Sequence, residues 1–493
     1  MEDNNKRSMS LAKRKSIMIR ANNSRVITKP YIPGPDHRIK EVVNRVLGLS
    51  DEEVNTLLEQ VLRDFSGRHR YFKEALEKNY MKIEYCVPSS NSITTERRLL
   101  LGSYFTCEYS VEAAALFNPS IVLHPNQKDM PEGSARFIMS FRATGEGHIS
   151  SIEFRSGKID REGNMDFDPM SNYVETPELC EDKLYDKHLF GLKLAEMKAC
   201  NAVTSHMLGE LGDDFTFDQL QGEVARLQSA SGFDPDRKRD AIDMAMWLAR
   251  SNYEIKFRKD HRISERVIFP VSENESKGIE DARFVRFTDD DGSVTYYATY
   301  TAYNGFVILP QLISTKDFIT FKVNTLNGDA VQNKGMALFP RKIDGKYVML
   351  SRQDGANNHI MFSENIRFWQ KSEIIQTPTL PWEFIQIGNC GSPIEIDEGW
   401  LLLTHGVGAM RKYSIGIELL DLNDPSRIIG RLDEPILAPT DGEREGYVPN
   451  VVYSCGSMIH NDELVIPFAI ADQKTSVATI SVPEVLSLMN QSS

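Results

Sequence analysis

The sequence predicts a mainly β chain: a five-bladed β-propeller that carries an N-terminal helical extension and a helical insertion after its first blade. Three observations predict it. From about residue 113 the apolar residues come in short alternating runs broken by Gly, Asn and Asp, the pattern of strands and turns. Five times in that region the chain writes an apolar strand, a short turn, a second apolar strand ending in a polar residue, a polar loop and a third strand. The polar ends of the later second strands, at Arg352, His405 and Asp472, lie roughly 50–65 residues apart, as propeller blades do. Between Arg142 and Thr301 the gap is about a hundred residues longer, which marks an insertion. A β-sandwich with coincident spacing is the alternative architecture.

In chain order, residues 1–27 read as a basic, disordered tail, with Lys6, Arg7, Lys13, Arg14, Lys15 and Arg20 among polar neighbours. An organellar presequence is the alternative there. A helical extension spans 28–112. Lys29-Pro-Tyr-Ile-Pro-Gly-Pro35 leads into it, and Ile39, Val42, Val43, Val46 and Leu47 recur at the three- and four-residue steps of a helical face. Ser50-Asp-Glu-Glu53 has the form of a capping box, and Val54, Leu57, Leu58, Val61 and Leu62 continue one face of the helix it opens. The propeller domain covers 113–493, with the helical insertion at about 178–260, where Leu189, Leu192, Leu194 and Met197 and later Ile242, Met244, Ala245 and Leu248 have helical spacing. First strands fall at 118–122, 281–286, 336–340, 392–396 and 449–453. Second strands fall at 135–142, 295–302, 346–352, 400–405 and 463–471. Third strands fall at 148–154, 307–314, 359–363, 413–420 and 476–482, and fourth strands are marked at 317–322 and 366–370.

Composition narrows the function. Lys and Arg number 57 and Asp and Glu 70, a net charge of −13, which argues against a surface built to coat nucleic acid. No run approaches the ~18 apolar residues needed to cross a bilayer, and no apolar segment at the N-terminus makes a secretory signal. The six cysteines show neither CxxC spacing nor a dense framework, so they read as reduced thiols in a cytoplasmic chain. Zinc-type Cys/His pairs and HExxH are absent, and no metal is expected.

In a propeller, equivalent positions of successive blades converge at one end of the central channel. The polar residues that finish the second strands are Arg142, Tyr300 with Thr301, Arg352, His405 and Asp472. The loops that open the first strands, with Glu280-Asp281, Asn333-Lys334, 388–392 and 445–449, should share that layer. One or two carboxylates and three or four cations then surround a funnel, which suits an anionic co-substrate beside a polyhydroxylated ligand. Each residue also has a plainer explanation. Asp281 and Arg283 stand two apart on a strand and could pair as a surface ion bridge. Lys334 could be a solvated turn lysine, Arg352 could cap strand carbonyls, and His405 could be a satisfied core histidine.

Gly278-Ile-Glu-Asp-Ala-Arg283 followed by Tyr300-Thr-Ala-Tyr-Asn-Gly305 resembles the signature of glycoside hydrolase family 130. Asn333-Lys-Gly-Met-Ala-Leu-Phe-Pro340, 345–352, 399–407 and Ala471-Asp472 agree with it. The resemblance covers about 113–485 apart from the insertion. It implies a five-bladed propeller and inverting phosphorolysis or hydrolysis of a β-mannoside. On this resemblance Asp281 is the general acid, its proton reaching the glycosidic oxygen through a mannosyl hydroxyl. Lys334, Arg352 and His405, with Arg142, form the phosphate-binding cluster, and Arg283, Tyr300, Tyr303, Asn304 and Asp472 contact the sugar. Phosphate is already an anionic nucleophile, so the base carboxylate of an inverting glycosidase can be dispensed with. The implied partners are a β-mannoside and inorganic phosphate as co-substrate, with no cofactor, and the helical additions are candidate homo-oligomer surfaces. A hydrolase on the same fold is the alternative, with Glu443 or Glu445 as base; a non-catalytic sugar-binding propeller is a third. Departures from the family pattern are Ala282 where proline is usual and Lys-Gly-Met at 334–336 where Lys-Asp is more frequent.

Overall fold

A computed structural model describes residues 11–88, 93–180, 183–305 and 308–491. The fold is mainly β. Its first element already departs from the expected disordered tail. Lys13–Ile19 is a strand that runs antiparallel to Lys474–Ser481, with Lys13 opposite Thr479 and Ile19 opposite Thr475. The basic residues concealed the strand because alternate positions of a strand face opposite ways. Ile17 and Ile19 pack against a core containing Phe137 and Val477, while Met18 stays exposed. Residues 1–10 of the expected tail, with Lys6 and Arg7, lie outside the described residues.

The β region is a series of antiparallel meanders. Ala115–Leu123, Ala135–Thr144, Ser150–Ile159 and Met165–Phe167 pair in order, and Gly278–Thr288, Val294–Tyr303, Ile308–Thr315 and Thr320–Thr325 do the same. One parallel pairing, Gly278 with Ser150, joins these two sets. Lys334–Leu338, Tyr347–Arg352, Asn358–Ser363 and Glu373–Gln376 form the third. In the fourth, Gln386–Asn389 and Ile394–Ile396 both pair with Gly399–Val407, which is followed by Tyr413–Leu420 and Ile428–Arg431. The last contains Val452–Tyr453, Met458–His460, Glu463–Ile470, Lys474–Ser481 and the N-terminal strand. Two expected strands shift. The fourth strand of the second meander runs 320–325 rather than 317–322, because Asp317 accepts the amides of Ile319 and Thr320 in a turn. At 366–370 the chain packs Trp369 into the core instead, and the strand follows at Glu373–Gln376.

Apolar faces of neighbouring sheets meet in separate cores. Phe154 of the first packs with Phe284 and Phe321 of the second; Val285 and Leu312 of the second pack with Met349 of the third. Leu350 of the third meets Trp400 and Leu402 of the fourth, and Leu403 of the fourth meets Ile466 and Phe468 of the last. Val465 and Val477 of the last then pack with Phe137 and Met139 of the first. Burying a large aromatic or aliphatic side chain in this way contributes about 1.5–3 kcal/mol each.

The N-terminal region folds as helices Asp36–Leu47, Asp51–Phe65, Phe72–Met81 and Thr95–Tyr104, flanked by the strand pair Val26–Pro30 and Thr106–Ser110. The Ser50/Glu53 capping box forms as expected. Arg25 anchors this region: it pairs with Glu112 at 2.6 Å and Glu153 at 2.7 Å, and Arg155 pairs with the same two carboxylates at 2.6 and 3.2 Å. The insertion holds helices Lys187–Glu196, Ala202–Gly209, Phe217–Ser229 and Pro235–Arg250 around their own core. It ends earlier than the expected residue 260, because Tyr253–Lys256 returns to pair with Thr320–Thr325. Among the described residues no helix is long and apolar enough to cross a membrane, and no group of His, Cys, Asp and Glu is arranged to hold a metal.

Candidate active site

The opening strands of three meanders carry the same irregularity. Register slips between Phe117 and Ser120, between Glu280 and Arg283, and between Lys334 and Ala337. In each slip one residue takes a left-handed backbone: Asn118 (φ 47°), Asp281 (φ 55°) and Gly335 (φ 83°). A bulge of this kind inserts an extra residue and re-aims its side chain out of the ladder. Asn118 and Asp281 thereby turn toward each other, and the Asn118 amide donates to Asp281 Oδ1 at 2.7 Å. Left-handed backbone costs a non-glycine residue about 1 kcal/mol or more, and Asn and Asp bear it best.

These bulges border a cavity of about 160 Å³. Asp281, Arg142, Lys334, Arg352, His405, Arg283, Tyr300 and Asp472 line it, so eight of the ten sequence-derived site residues meet there. Tyr303 and Asn304 do not line it, and the Tyr303 hydroxyl donates to the Gly305 carbonyl at 3.1 Å. Tyr300 borders the cavity, but its hydroxyl donates to the buried Glu275, which also accepts from Tyr253 at 2.8 Å. A position at a strand end identified Tyr300 without showing that its phenol is committed to that carboxylate. Arg283 does not pair with Asp281 as the two-residue spacing allowed. The bulge separates them, and the guanidinium donates to Asn389 and, at 2.6 Å, to the Tyr453 hydroxyl.

Asp281 is clamped. Besides Asn118, Arg142 donates to its Oδ1 at 3.4 Å while reaching Glu280 at 2.8 Å and Ser150 at 3.0 Å. Burial works to raise the Asp281 pKa, but Arg142, the Asn118 bond and Lys334 outweigh it and hold the carboxyl below its usual range. Asp472 goes the other way. Burial and the charge of Asp281 push it up to about 6, against the pull of Arg142 and Arg411. Two carboxylates of one cavity are thus driven apart in acidity by their different neighbours.

Further cations line the same cavity. Lys334 and Arg352 are register partners across a strand pair, and among the described residues neither makes an ion pair. Arg352 faces His405 Nε2 at 3.4 Å, and among the described residues its own buried Nε has no hydrogen-bond partner. Burial, then Arg352 and Arg283, hold the His405 pKa well below its usual value, so the ring is neutral. Its Nδ1 lies 3.1 Å from the Asn389 carbonyl, which assigns the proton to Nδ1 and leaves a lone pair on Nε2 facing Arg352. In this geometry His405 presents an acceptor to Arg352 through Nε2. Of the two candidate bases for hydrolysis, Glu443 pairs with Arg14 at 2.7 Å, and neither it nor Glu445 lines the cavity.

Sequence reasoning missed Asn118, Tyr413, Tyr453 and Arg411 on the cavity wall. Asn118 had a signal, since it stands two residues before Ser120 as Asp281 stands before Arg283. Arg411 had none, because its approach depends on left-handed backbone at Met410 and Arg411 itself.

Residues 238–491 match the family model of glycoside hydrolase family 130, described as beta-1,4-mannooligosaccharide phosphorylase, and the chain belongs to this family. It is 36% identical over 232 residues to a 1,2-beta-oligomannan phosphorylase of Thermoanaerobacter sp. (strain X514), covering 45% of this chain and 75% of that protein. It is 32% identical over 226 residues to a beta-1,2-mannobiose phosphorylase of Listeria innocua, covering 44% of this chain and 62% of that one. The solved structure of the Listeria innocua enzyme with beta-1,2-mannobiose superimposes with a TM-score of 0.46 at 22% identity, over 78% of this chain and 93% of that one. Asn118 and Arg142, which clamp Asp281, lie outside the matched residues 238–491.

Proposed function

We propose that this chain is a glycoside phosphorylase that cleaves a β-mannoside with inorganic phosphate, inverting the anomeric carbon to give α-mannose 1-phosphate. The observation that carries the reading is the pair of cations, Lys334 and Arg352, which line one cavity with Asp281 and make no ion pair among the described residues, in a chain of net charge −13. Such cations suit a phosphate dianion, which Arg binds through two parallel bonds. Held there, a phosphate oxygen attacks C1 in line as the bond from C1 to the glycosidic oxygen breaks. Asp281 supplies the proton for the leaving oxygen by way of a sugar hydroxyl, and it ends as a carboxylate.

The lowered pKa of Asp281 fits this order of events. A bound phosphate dianion offsets Lys334 and Arg352, removes part of what holds the carboxyl down, and so raises it toward carrying a proton. Arg142 takes the role of holding Asp281, and Asp472 accepts hydrogen bonds from sugar hydroxyls. The cyclic order of cores, with the last sheet packed on the first, supports a five-bladed propeller around this cavity.

Purified protein incubated with β-1,2- and β-1,4-mannobiose, with and without phosphate, tests the reading by ³¹P NMR. Phosphate-dependent appearance of α-mannose 1-phosphate is expected. Release of free mannose at the same rate without phosphate overturns phosphorolysis in favour of hydrolysis.

A further inference from the structure

The bulges that carry Asp281 and Lys334 belong to different meanders, and one buried side chain from a third joins them. Asn389 ends the strand Gln386–Asn389, is 1% exposed and does not line the cavity. Its Oδ1 accepts from Arg283, the residue at which pairing resumes after the slip that holds Asp281, and from the Gly391 amide at 3.2 Å. Its Nδ2 donates at 2.6 Å to the carbonyl of Gly335, which lies inside the slip between Lys334 and Ala337. Its own carbonyl faces His405 Nδ1 at 3.1 Å, and the other ring nitrogen of that histidine faces Arg352.

The neighbours dictate an amide. A guanidinium and a backbone N–H only donate, and a carbonyl only accepts, so one end of the side chain must be oxygen and the other N–H. A carboxylate would satisfy Arg283 but would set a negative oxygen against the Gly335 carbonyl. An apolar residue would serve neither end. The Gly335 bulge needs such a tie, because the ladder that would otherwise hold it is interrupted there. It is also pressed close to Arg352: with φ at 83°, a Cβ on Gly335 would meet the Arg352 side chain at 3.1 Å. One amide thus holds the segment between the two cations and, at the same time, the strand that carries the acid.

We propose that Asn389 is a positioning residue for the nucleophile: by tying the Gly335 bulge to Arg283, it holds Lys334 at a fixed separation from Asp281. This rests on the reading of Lys334 and Arg352 as the phosphate cations. Donors fixed before the anion arrives spare it the cost of ordering them.

The test titrates inorganic phosphate calorimetrically into the full-length chain and into Asn389→Asp, Asn389→Ala, Lys334→Met and the two double variants, with KM values for phosphate and mannoside measured alongside. Asn389→Asp keeps a partner for the buried Arg283 and so protects folding, whereas Asn389→Ala removes the bond to Gly335 without adding a charge. Each should weaken phosphate binding and raise the phosphate KM about tenfold, the effect of one lost hydrogen bond. In Asn389→Asp the mannoside KM should stay within about twofold of native, a split that general loosening of the fold would not produce. In the Lys334→Met background either substitution should weaken phosphate by less than about twofold more, because the group it displaces is gone. Native phosphate affinity in both Asn389 variants, or a full tenfold loss on top of Lys334→Met, overturns positioning through Lys334 while phosphorolysis stands. A native chain that binds no phosphate and turns over mannoside without it overturns phosphorolysis, and this proposal with it.

Discussion

Two assemblies of arginines and carboxylates occupy the first part of the β region, and they are built for opposite ends. In the quartet of Arg25, Arg155, Glu112 and Glu153, each guanidinium touches both carboxylates, and no member is more than 5% exposed. Around Asp281 the counts are similar but the circuit is open: Arg142 serves Glu280 and Asp281, whose side chains are about 20% exposed, while Lys334 and Arg352 line the same cavity and, among the described residues, make no ion pair. A closed circuit gains fixed geometry and has nothing left to offer a ligand. An open one keeps its donors for a guest, at the cost of like charges held close together. Asp472, pushed up to about 6, records that cost.

The comparison can be broken at either assembly. Asp281→Asn should lower kcat by about 10³–10⁴ in mannose 1-phosphate release, with thermal unfolding little changed, because the amide retains the shape but cannot give up the proton. Glu153→Gln should do the reverse. Stripped of one counter-charge, the buried quartet should lose about 3–5 kcal/mol in urea unfolding, while the folded fraction turns over at the normal rate. A kcat collapse in that variant, or a stability collapse in Asp281→Asn, would erase the distinction.

Arg352→Ala sharpens it further. Losing a charge-assisted contact of about 2 kcal/mol should raise the KM for phosphate some thirtyfold and leave the mannoside KM nearly constant. The finest test is Asp472→Asn. Its carboxyl binds a proton more tightly in the folded chain, at about 6, than in the unfolded chain, where Asp sits near 3.9. Stability attributable to that proton is present below about pH 4, falls as pH rises toward 6, and is absent above. The amide should therefore be more stable than the native chain at pH 7, by on the order of 2 kcal/mol, and indistinguishable at pH 3.5. Urea midpoints at the two pH values decide it.

Much of the cavity was legible in the sequence because a strand end is a position in space as well as in the chain. Arg142, Arg352, His405 and Asp472 each finish a second strand or follow one, and Asp281 and Lys334 each open a first strand; repetition brings all six to one place. What repetition does not encode is conformation at a single residue. The left-handed backbone of Asp281 is what divorces it from Arg283, and period-two alternation cannot foresee it. Nor does a strand pattern reveal commitments made far away in the chain, such as the Tyr300 phenol to Glu275 or Asn118 to a carboxylate 163 residues on. The N-terminal strand was hidden for a related reason: its basic residues hide two isoleucines whose partner surface lies at the other end of the sequence.

That strand sets a schedule for biosynthesis. The segment Lys13–Ile19 is made well before the neighbour it zips against, which follows only after roughly 450 more residues. Until then its unpaired edge is open to wrong associations, and a basic stretch repels its copies while it waits. The same lysines and arginine that disguise the strand thus serve as its chaperones.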